Sequence, residues 1–538
     1  MRILKPLFVS AITASMLYSC GGSEIISTPI ENVDTTPLKV TELTESEKHN
    51  WGHLDLVTDT IPGMSVDKAY AEIVKNKKGT KVIVAVIDSG IDIDHEDLDG
   101  VIWTNTDEKP NNGIDDDNNG YIDDVHGWNF LGEGYDEQLE FVRILASGDS
   151  SLPGYADAEA EYSKDYTEKT NLKARYDQIY QQLLASDKAI SAYLKKEEYT
   201  KEEVEAITTD DAGLNNNVAF IKQIYGFGLG SVSDAKKELK GGLDYFSESL
   251  NFNLNKDFNG RKTGDNVNDL ADVGYGDGNV KPVKKSESHG THVAGIIAAE
   301  RNNGLGANGV ANNVEIMSIR AVPNGDEYDK DIALAIRYAV DNGAKVINGS
   351  FGKYYSTHSD WVRDAIAYAG ANDVVFVNAA GNEGLDLDQK ACYPNDQVNN
   401  GPEVSETFIT VGALDPSYGS KMVAGFSNYG TINVDVFAPG GKVYSTTPEN
   451  EYDTKGGTSM AAPGVAGIVA LVRSQYPDLT AVQVKQIILD SGLPLNTKVI
   501  VGGDAEDVRT FTGLSKSGKI ANAYNALIMA QQMSKSKS

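Results

Sequence analysis

Lys81-Val82-Ile83-Val84-Ala85-Val86-Ile87-Asp88 is the stretch on which the fold turns. From Val82 to Ile87 every side chain is apolar and most are β-branched. A strand with one wet face alternates polar with apolar, whereas an unbroken run suits a parallel strand covered on both faces. Shorter runs of the same kind recur at 344–348, 373–378, 408–411 and 434–437. Between them, residues 331–340, 361–368, 461–473 and 481–489 carry apolar side chains at helical spacing. This alternation predicts an α/β fold with a mostly parallel central sheet. Ligands of such sheets sit beyond the carboxyl ends of the strands, and the first run ends on Asp88-Ser89-Gly90.

The 538 residues exceed one ordinary domain and suffice for a large core. With 40% hydrophobic and 23% charged residues, the chain is neither disordered nor polytopic in the membrane. Acidic residues number 78 against 48 basic, a net charge of -30. Nucleic-acid binding requires the opposite field, so no nucleic-acid partner is expected, and anionic substrates are disfavoured.

At the N-terminus Arg2 and Lys5 precede an apolar stretch too short to span a bilayer, followed by Leu17-Tyr18-Ser19-Cys20-Gly21-Gly22. An apolar residue, small residues and then Cys-Gly resembles a bacterial lipoprotein signal. The resemblance implies a signal peptide at 1–19, lipidation of Cys20, and a membrane anchor on the periplasmic or cell-surface side. Cys392 then lacks an intrachain partner, so the fold does not depend on a disulfide. Residues 21–50 are polar with scattered Thr, Glu and Pro and predict a flexible tether inside an N-terminal extension over 20–60.

The strand–helix alternation breaks at 133–285. Tyr162, Tyr166, Leu172, Tyr176, Ile179, Leu183, Ile190 and Leu194 recur at helical spacing among Lys, Glu and Gln. Thr200-Lys201-Glu202-Glu203 reads as a capping box opening a further helix. A mainly helical insertion is therefore expected between two parts of one domain, 61–132 and 286–530. Its tyrosines read as a packing seam, and its surface as a gate at the cleft rim or a docking surface. Asp265, Asp269 and Asp277 read as solvated surface.

Three segments carry chemistry: Asp88-Ser89-Gly90, His289-Gly290-Thr291-His292-Val293-Ala294-Gly295, and Gly457-Thr458-Ser459-Met460-Ala461-Ala462-Pro463. A serine hydroxyl is a poor nucleophile until a base takes its proton, and the base needs a group that fixes its tautomer. Asp88, His289 and Ser459 supply those roles. Asn378-Ala379-Ala380-Gly381-Asn382-Glu383-Gly384 ends another strand run and offers the Asn382 amide as a donor to a tetrahedral oxyanion.

Together, in the order Asp, His, Ser, these segments resemble the signatures of subtilisin-like serine peptidases, the subtilases, over about 82–130 and 288–526. The resemblance implies a subtilisin-like three-layer fold and endopeptidase action on polypeptide substrates. Asp88 would orient, His289 act as base and then acid, and Ser459 attack, with Asn382 and the Ser459 backbone N–H holding the oxyanion. It also implies that Ser350, Phe351 and Gly352 add the substrate as an extra strand. Ala379, Ala380 and Gly381 would form the opposite wall of the first pocket, with room for a large apolar side chain. His292 would be a buried structural histidine.

By the same resemblance Asp97 is a calcium ligand, with Asn303 and the carbonyls of Leu305 and Ala307 in the partner loop. That loop is one residue longer than the common pattern. Separately, Asp115, Asp117, Asn119, Gly120 and Asp123 fit positions one, three, five, six and nine of an EF-hand loop. His126 stands where the bidentate Glu belongs, so the stretch reads equally as a calcium loop or an acidic turn. A structural calcium and no organic cofactor are expected. The rival class is a catalytically silent surface binding protein on the same scaffold, against which the intact Asp88, His289, Asn382 and Ser459 speak.

Overall fold

The computed structural model describes residues 27–31, 33–152 and 154–536, so Cys20 and the signal segment lie outside the described residues. Val82–Asp88 forms β1, and its alternate side chains divide between two cores. Val82, Val84 and Val86 join one apolar layer, Ala85 and Ile87 the other. This is why the run has no polar positions: both faces are dry, and each fully buried Val or Ile contributes roughly 1.5–3 kcal/mol.

The remaining strands are β2 Gly127–Asn129, β3 Val314–Arg320, β4 Val346–Gly349, β5 Val375–Ala379, β6 Phe408–Leu414 and β7 Val436–Pro439. They continue as β8 Val443–Thr447, β9 Glu451–Lys455, β10 Leu493–Pro494, β11 Lys498–Val501, β12 Asp504–Thr510 and β13 Lys519–Ile520. A nine-stranded sheet runs β10-β13-β7-β6-β5-β4-β1-β3-β2, while β8–β9 and β11–β12 are separate hairpins. Every pairing in the large sheet is parallel except β10 with β13. On one face lie His289–Ala298, Thr458–Gln475, Ala481–Ser491 and Ala523–Lys535; on the other lie Asp329–Asp341 and Ser359–Ala371. Three layers result. Later strands extend the sheet on one side of β1 and β3 and β2 on the other, so the carboxyl end of β1 is the switch point where a crevice opens.

The expected tether is docked over its described part. Thr44 and Glu47 form a capping box on Glu45–Asn50, and His49 stacks on Tyr444 at 3.9 Å. The buried Trp51 donates from Nε1 to Lys442 O at 2.9 Å, and Leu56 and Ile61 are fully buried. A few apolar anchors in polar sequence suffice to seat the segment, which composition alone conceals.

The insertion is helical only to Asn253. Its helices are Glu140–Ala146, Tyr155–Leu194, Lys201–Glu205, Ala212–Gly226 and Val232–Glu248, and the Thr200 capping box is present. Leu183 and Ile190 pack with Val218, Ile221 and Val232 into a core apart from the sheet. Tyr162 and Tyr166 instead stack on each other, with centroids 5.5 Å apart and Tyr166 exposed. Residues 254–285 contain no helix and return across the sheet. There Tyr275 enters the second core layer, and Asp277 pairs by backbone with Asn129. Asp265 is not surface: it is buried against Arg261 and Lys330, both at 2.7 Å. Asp277 likewise accepts a hydrogen bond from Asn129 Nδ2 at 3.0 Å.

Candidate active site

Asp88 ends β1 with its carboxylate buried, and Oδ1 accepts from Ser89 N and from His289 Nδ1, each at 2.7 Å. His289 opens the His289–Ala298 helix. The helix presses so close to the Asp88 loop that a Cβ on Gly290 would lie 2.3 Å from Gly90 O, so only glycine fits there. Burial pulls the His289 pKa down, but the Asp88 charge and hydrogen bond outweigh it and hold it above 6.5. His292 faces the other way. It is fully buried, bonds to Asp453 O at 3.1 Å, and burial pushes its pKa down to about 3, so it stays neutral.

Ser459 lies in the first turn of Thr458–Gln475. Its Oγ donates to Ser350 O at 3.1 Å, and among the described residues that is its side-chain partner, not the imidazole. Catalytic hydrogen bonds are often slack before substrate arrives. Pro463 has no N–H to offer the carbonyl four residues back. That carbonyl belongs to Ser459, and the Ser350 hydroxyl satisfies it at 2.8 Å. A proline four residues on thus ties Ser459 to the end of β4.

Asn382 follows β5. Its Oδ1 accepts from Thr458 N at 2.8 Å and Thr458 Oγ1 at 3.1 Å, which fixes the amide against the serine helix. A Cβ on Gly457 would sit 3.6 Å from Ser459 N and 3.7 Å from Asn382 Nδ2, so two N–H donors flank one small space. Two converging donors stabilise an oxyanion.

One cavity of about 480 Å³ gathers Asp88, His289, Ser459, Asn382, Ser350, Phe351, Gly352, Ala379 and Gly381. Ala380 is absent from it; buried, it lines a second cavity of about 290 Å³ beside Cys392. The wall of the first pocket is not made of small residues alone. Tyr354 and Glu383 line the cleft and hydrogen-bond to each other, and burial raises the Glu383 pKa. Glu383 follows Asn382 directly, which was its only sequence signal. Lys455, on the hairpin strand β9, also lines the cleft, and its hairpin was not readable as strand.

Arg320 was likewise missed. It ends β3, opposite Asp88 in register, and is fully buried. It donates to Ser89 O at 3.1 Å, to Glu287 Oε1 at 2.7 Å and to Gly132 O at 2.9 Å. One guanidinium thereby joins the segments on either side of the Asp88–His289 pair to the root of the insertion.

The cation candidates divide. Asp97 is fully buried, and Asn303 Nδ2 and Ala307 N donate to it at 2.7 and 3.0 Å. Leu305 N turns back to Asn303 Oδ1 at 2.9 Å. In the acidic loop, Asp115 and Asp117 meet Glu108, their ligand oxygens within 4.8 Å of one another. Glu108 is nearly buried, and its Oε2 has no partner among the described residues. Asp123 is not part of the group: its oxygens accept from Asn112 N and Gly113 N at 3.0 and 2.9 Å. Asn119 Oδ1 accepts from Tyr121 N at 2.8 Å. Glu108, upstream of the loop, is the acid that meets Asp115 and Asp117 where the loop's own position twelve is His126.

An Asp–His pair at 2.7 Å faces a cleft that also holds a serine at a helix start and two converging N–H donors, at the switch point of a parallel sheet. Residues 79–507 match the subtilase family, and the chain belongs to it. It is 45% identical over 189 residues to a thermophilic serine proteinase of Bacillus sp. (strain AK1), covering 35% of this chain and 43% of that protein. It is 38% identical over 215 residues to subtilisin DY of Bacillus licheniformis, covering 40% of this chain and 73% of that one. A solved cold-adapted subtilisin-like serine proteinase aligns over 40% of this chain and 71% of its own, with 30% identity and a TM-score of 0.33.

Proposed function

We propose that this chain is an exported, lipid-anchored serine endopeptidase. The carrying observation is the Asp88–His289 hydrogen bond of 2.7 Å beside Ser459 and Asn382 in one cleft. Asp88 holds the tautomer with Nδ1–H, leaving Nε2 as the base. Ser459 Oγ turns from Ser350 O toward Nε2, gives up its proton and attacks the substrate carbonyl. The oxyanion is received by Ser459 N and Asn382 Nδ2. His289 then delivers the proton to the leaving amine, and the acyl-enzyme is hydrolysed by the reverse sequence. Ser350 to Gly352 pair with the substrate backbone, and the first side chain lies against Tyr354 and Glu383.

The lipid anchor rests on the Leu17-to-Gly22 signature. Among the described residues no helix is long and apolar enough to cross a membrane. A structural calcium would be held by Glu108, Asp115 and Asp117, where it would stiffen the loop before β2 and take no part in the reaction. The experiment is cleavage of an unfolded protein substrate by membrane fractions. Wild type is expected to cleave and Ser459→Ala not to, and Cys20→Ser is expected to move the activity to the soluble fraction. Equal cleavage by Ser459→Ala would defeat the reading, and so would a wild type that binds the polypeptide without cutting it.

A further inference from the structure

The insertion reaches the cleft through a buried framework, not only as a neighbour at its rim. Residues 323–327 line the cavity that holds Asp88, His289 and Ser459, as do Ser350, Phe351 and Gly352, through Pro323, Asn324, Gly325 and Glu327. Past Val322 this segment leaves the sheet and hydrogen-bonds to the insertion. Asn324 N donates to Tyr135 O at 2.8 Å, Glu137 N to Asn324 O at 3.1 Å, and Asp326 N to Gln138 O at 3.3 Å. Gly325 packs so tightly on the inserted backbone that a Cβ would lie 2.3 Å from Glu137 O. From the far end of the insertion, Asn253 Nδ2 donates to both Glu137 O and Asn324 O at 2.9 Å.

Arg143, in the first inserted helix, fastens this ladder. Its guanidinium donates to Gln138 O at 2.9 Å, Asp326 O at 2.8 Å and Glu327 O at 3.0 Å. It also pairs with Glu140. Glu140 in turn meets Lys353 Nζ at 3.2 Å, and Lys353 donates to Glu327 O at 2.8 Å. Lys353 directly follows Gly352. One buried group of side chains therefore bridges both backbone segments of the cleft, and two of its members, Glu140 and Arg143, come from the insertion. A planar fork that satisfies three carbonyls has fixed geometry, which a lysine does not reproduce.

We propose that Arg143 is a positioning residue for extended substrates. It holds 323–327 at the distance from 350–352 at which a peptide of several residues lies between them, while the Asp88–His289–Ser459 chemistry does not depend on it. The proposal rests on the reading above that this cleft binds the substrate backbone. It gives the insertion a role in length selectivity.

The test compares two substrates on the full chain: an ester of a single acylated amino acid and the same ester of a tetrapeptide ending in that residue. Active sites are counted by a fluorophosphonate. Wild type is expected to favour the tetrapeptide in kcat/KM. In Arg143→Lys that advantage is expected to fall about tenfold, through KM, while turnover of the single-residue ester per labelled site changes less than about twofold. Asn253→Ala, which removes both donors without adding a charge, is expected to lose about threefold of the same advantage. Equal losses on both substrates, or an unchanged tetrapeptide advantage in both variants, overturn the proposal. If Arg143→Lys yields no labelled protein, Asn253→Ala decides in the same terms. A wild type with no tetrapeptide advantage overturns the reading of the cleft itself, and the proposal with it.

Discussion

In the proposed mechanism His289 sets the pH at which this site can work. Its pKa is held above 6.5 because Asp88 stabilises the imidazolium more than burial penalises it. A raised pKa means that the neutral base appears only as pH rises through that higher value. The rate of Ser459 acylation is therefore expected to climb with pH to a half-point above 6.5. A fluorophosphonate labelling profile reads this, and a half-point below that value would contradict the assignment of the base. The oxyanion space gives a second prediction. Gly457 has φ 160° and ψ 159°, an extended backbone that alanine adopts without strain. Its methyl would enter the space between Ser459 N and Asn382 Nδ2. Gly457→Ala is expected to fold with an unchanged melting temperature and to lose on the order of 100-fold in kcat, with KM nearly constant. Asp88, His289, Asn382 and Ser459 were legible because each sits beside glycines at an element boundary. Arg320 and Glu383 were not, because a single charged residue in sequence gives no sign of whether it is buried.

At the scale of elements, the reading succeeded where both faces of a strand are dry. The runs behind β1, β4, β5, β6 and β7 were visible for that reason. β3 was not: Glu315, Ser318 and Arg320 interrupt it, although all but Glu315 are buried. The charge of Arg320 is hidden by Glu287 and by backbone carbonyls that only the fold assembles. The docked N-terminal segment was missed for a related reason, since Trp51, Leu56 and Ile61 stand singly among polar residues. Trp51 fills a site beneath β7 and β11 residues, in one cluster with Phe437 and Val499. Trp51→Ala is expected to cost about 3–5 kcal/mol in urea unfolding. A change below about 1 kcal/mol would mean that the segment is not seated in solution.

At the scale of the whole molecule, the apolar clusters divide the chain into a sheet-centred body and a separately packed outer insertion. The alternation of apolar runs with helical patterns predicted the body, and its break at 133–285 was the signal for an expected insertion. The return of 254–285 onto the sheet was illegible, because its contacts are Asp265 with Lys330, Arg261 with Asp331 and Tyr275 with the second core layer. A net charge of -30 also makes the molecule sensitive to cations. With free calcium at about 100 times its dissociation constant, one site would stabilise the native state by about 2.7 kcal/mol. Chelation is expected to lower the melting temperature, and Glu108→Gln to abolish most of that drop. A chelator-insensitive melting curve would remove the calcium.

The account stands or falls on whether Ser459 is an activated nucleophile. The direct measurement is the site of fluorophosphonate attachment, mapped by peptide mass spectrometry on the full chain. One adduct per molecule on Ser459 is predicted, absent in Ser459→Ala and slowed by orders of magnitude in His289→Ala. A folded wild type that takes no label, or label on another serine while Ser459 stays free, would contradict it.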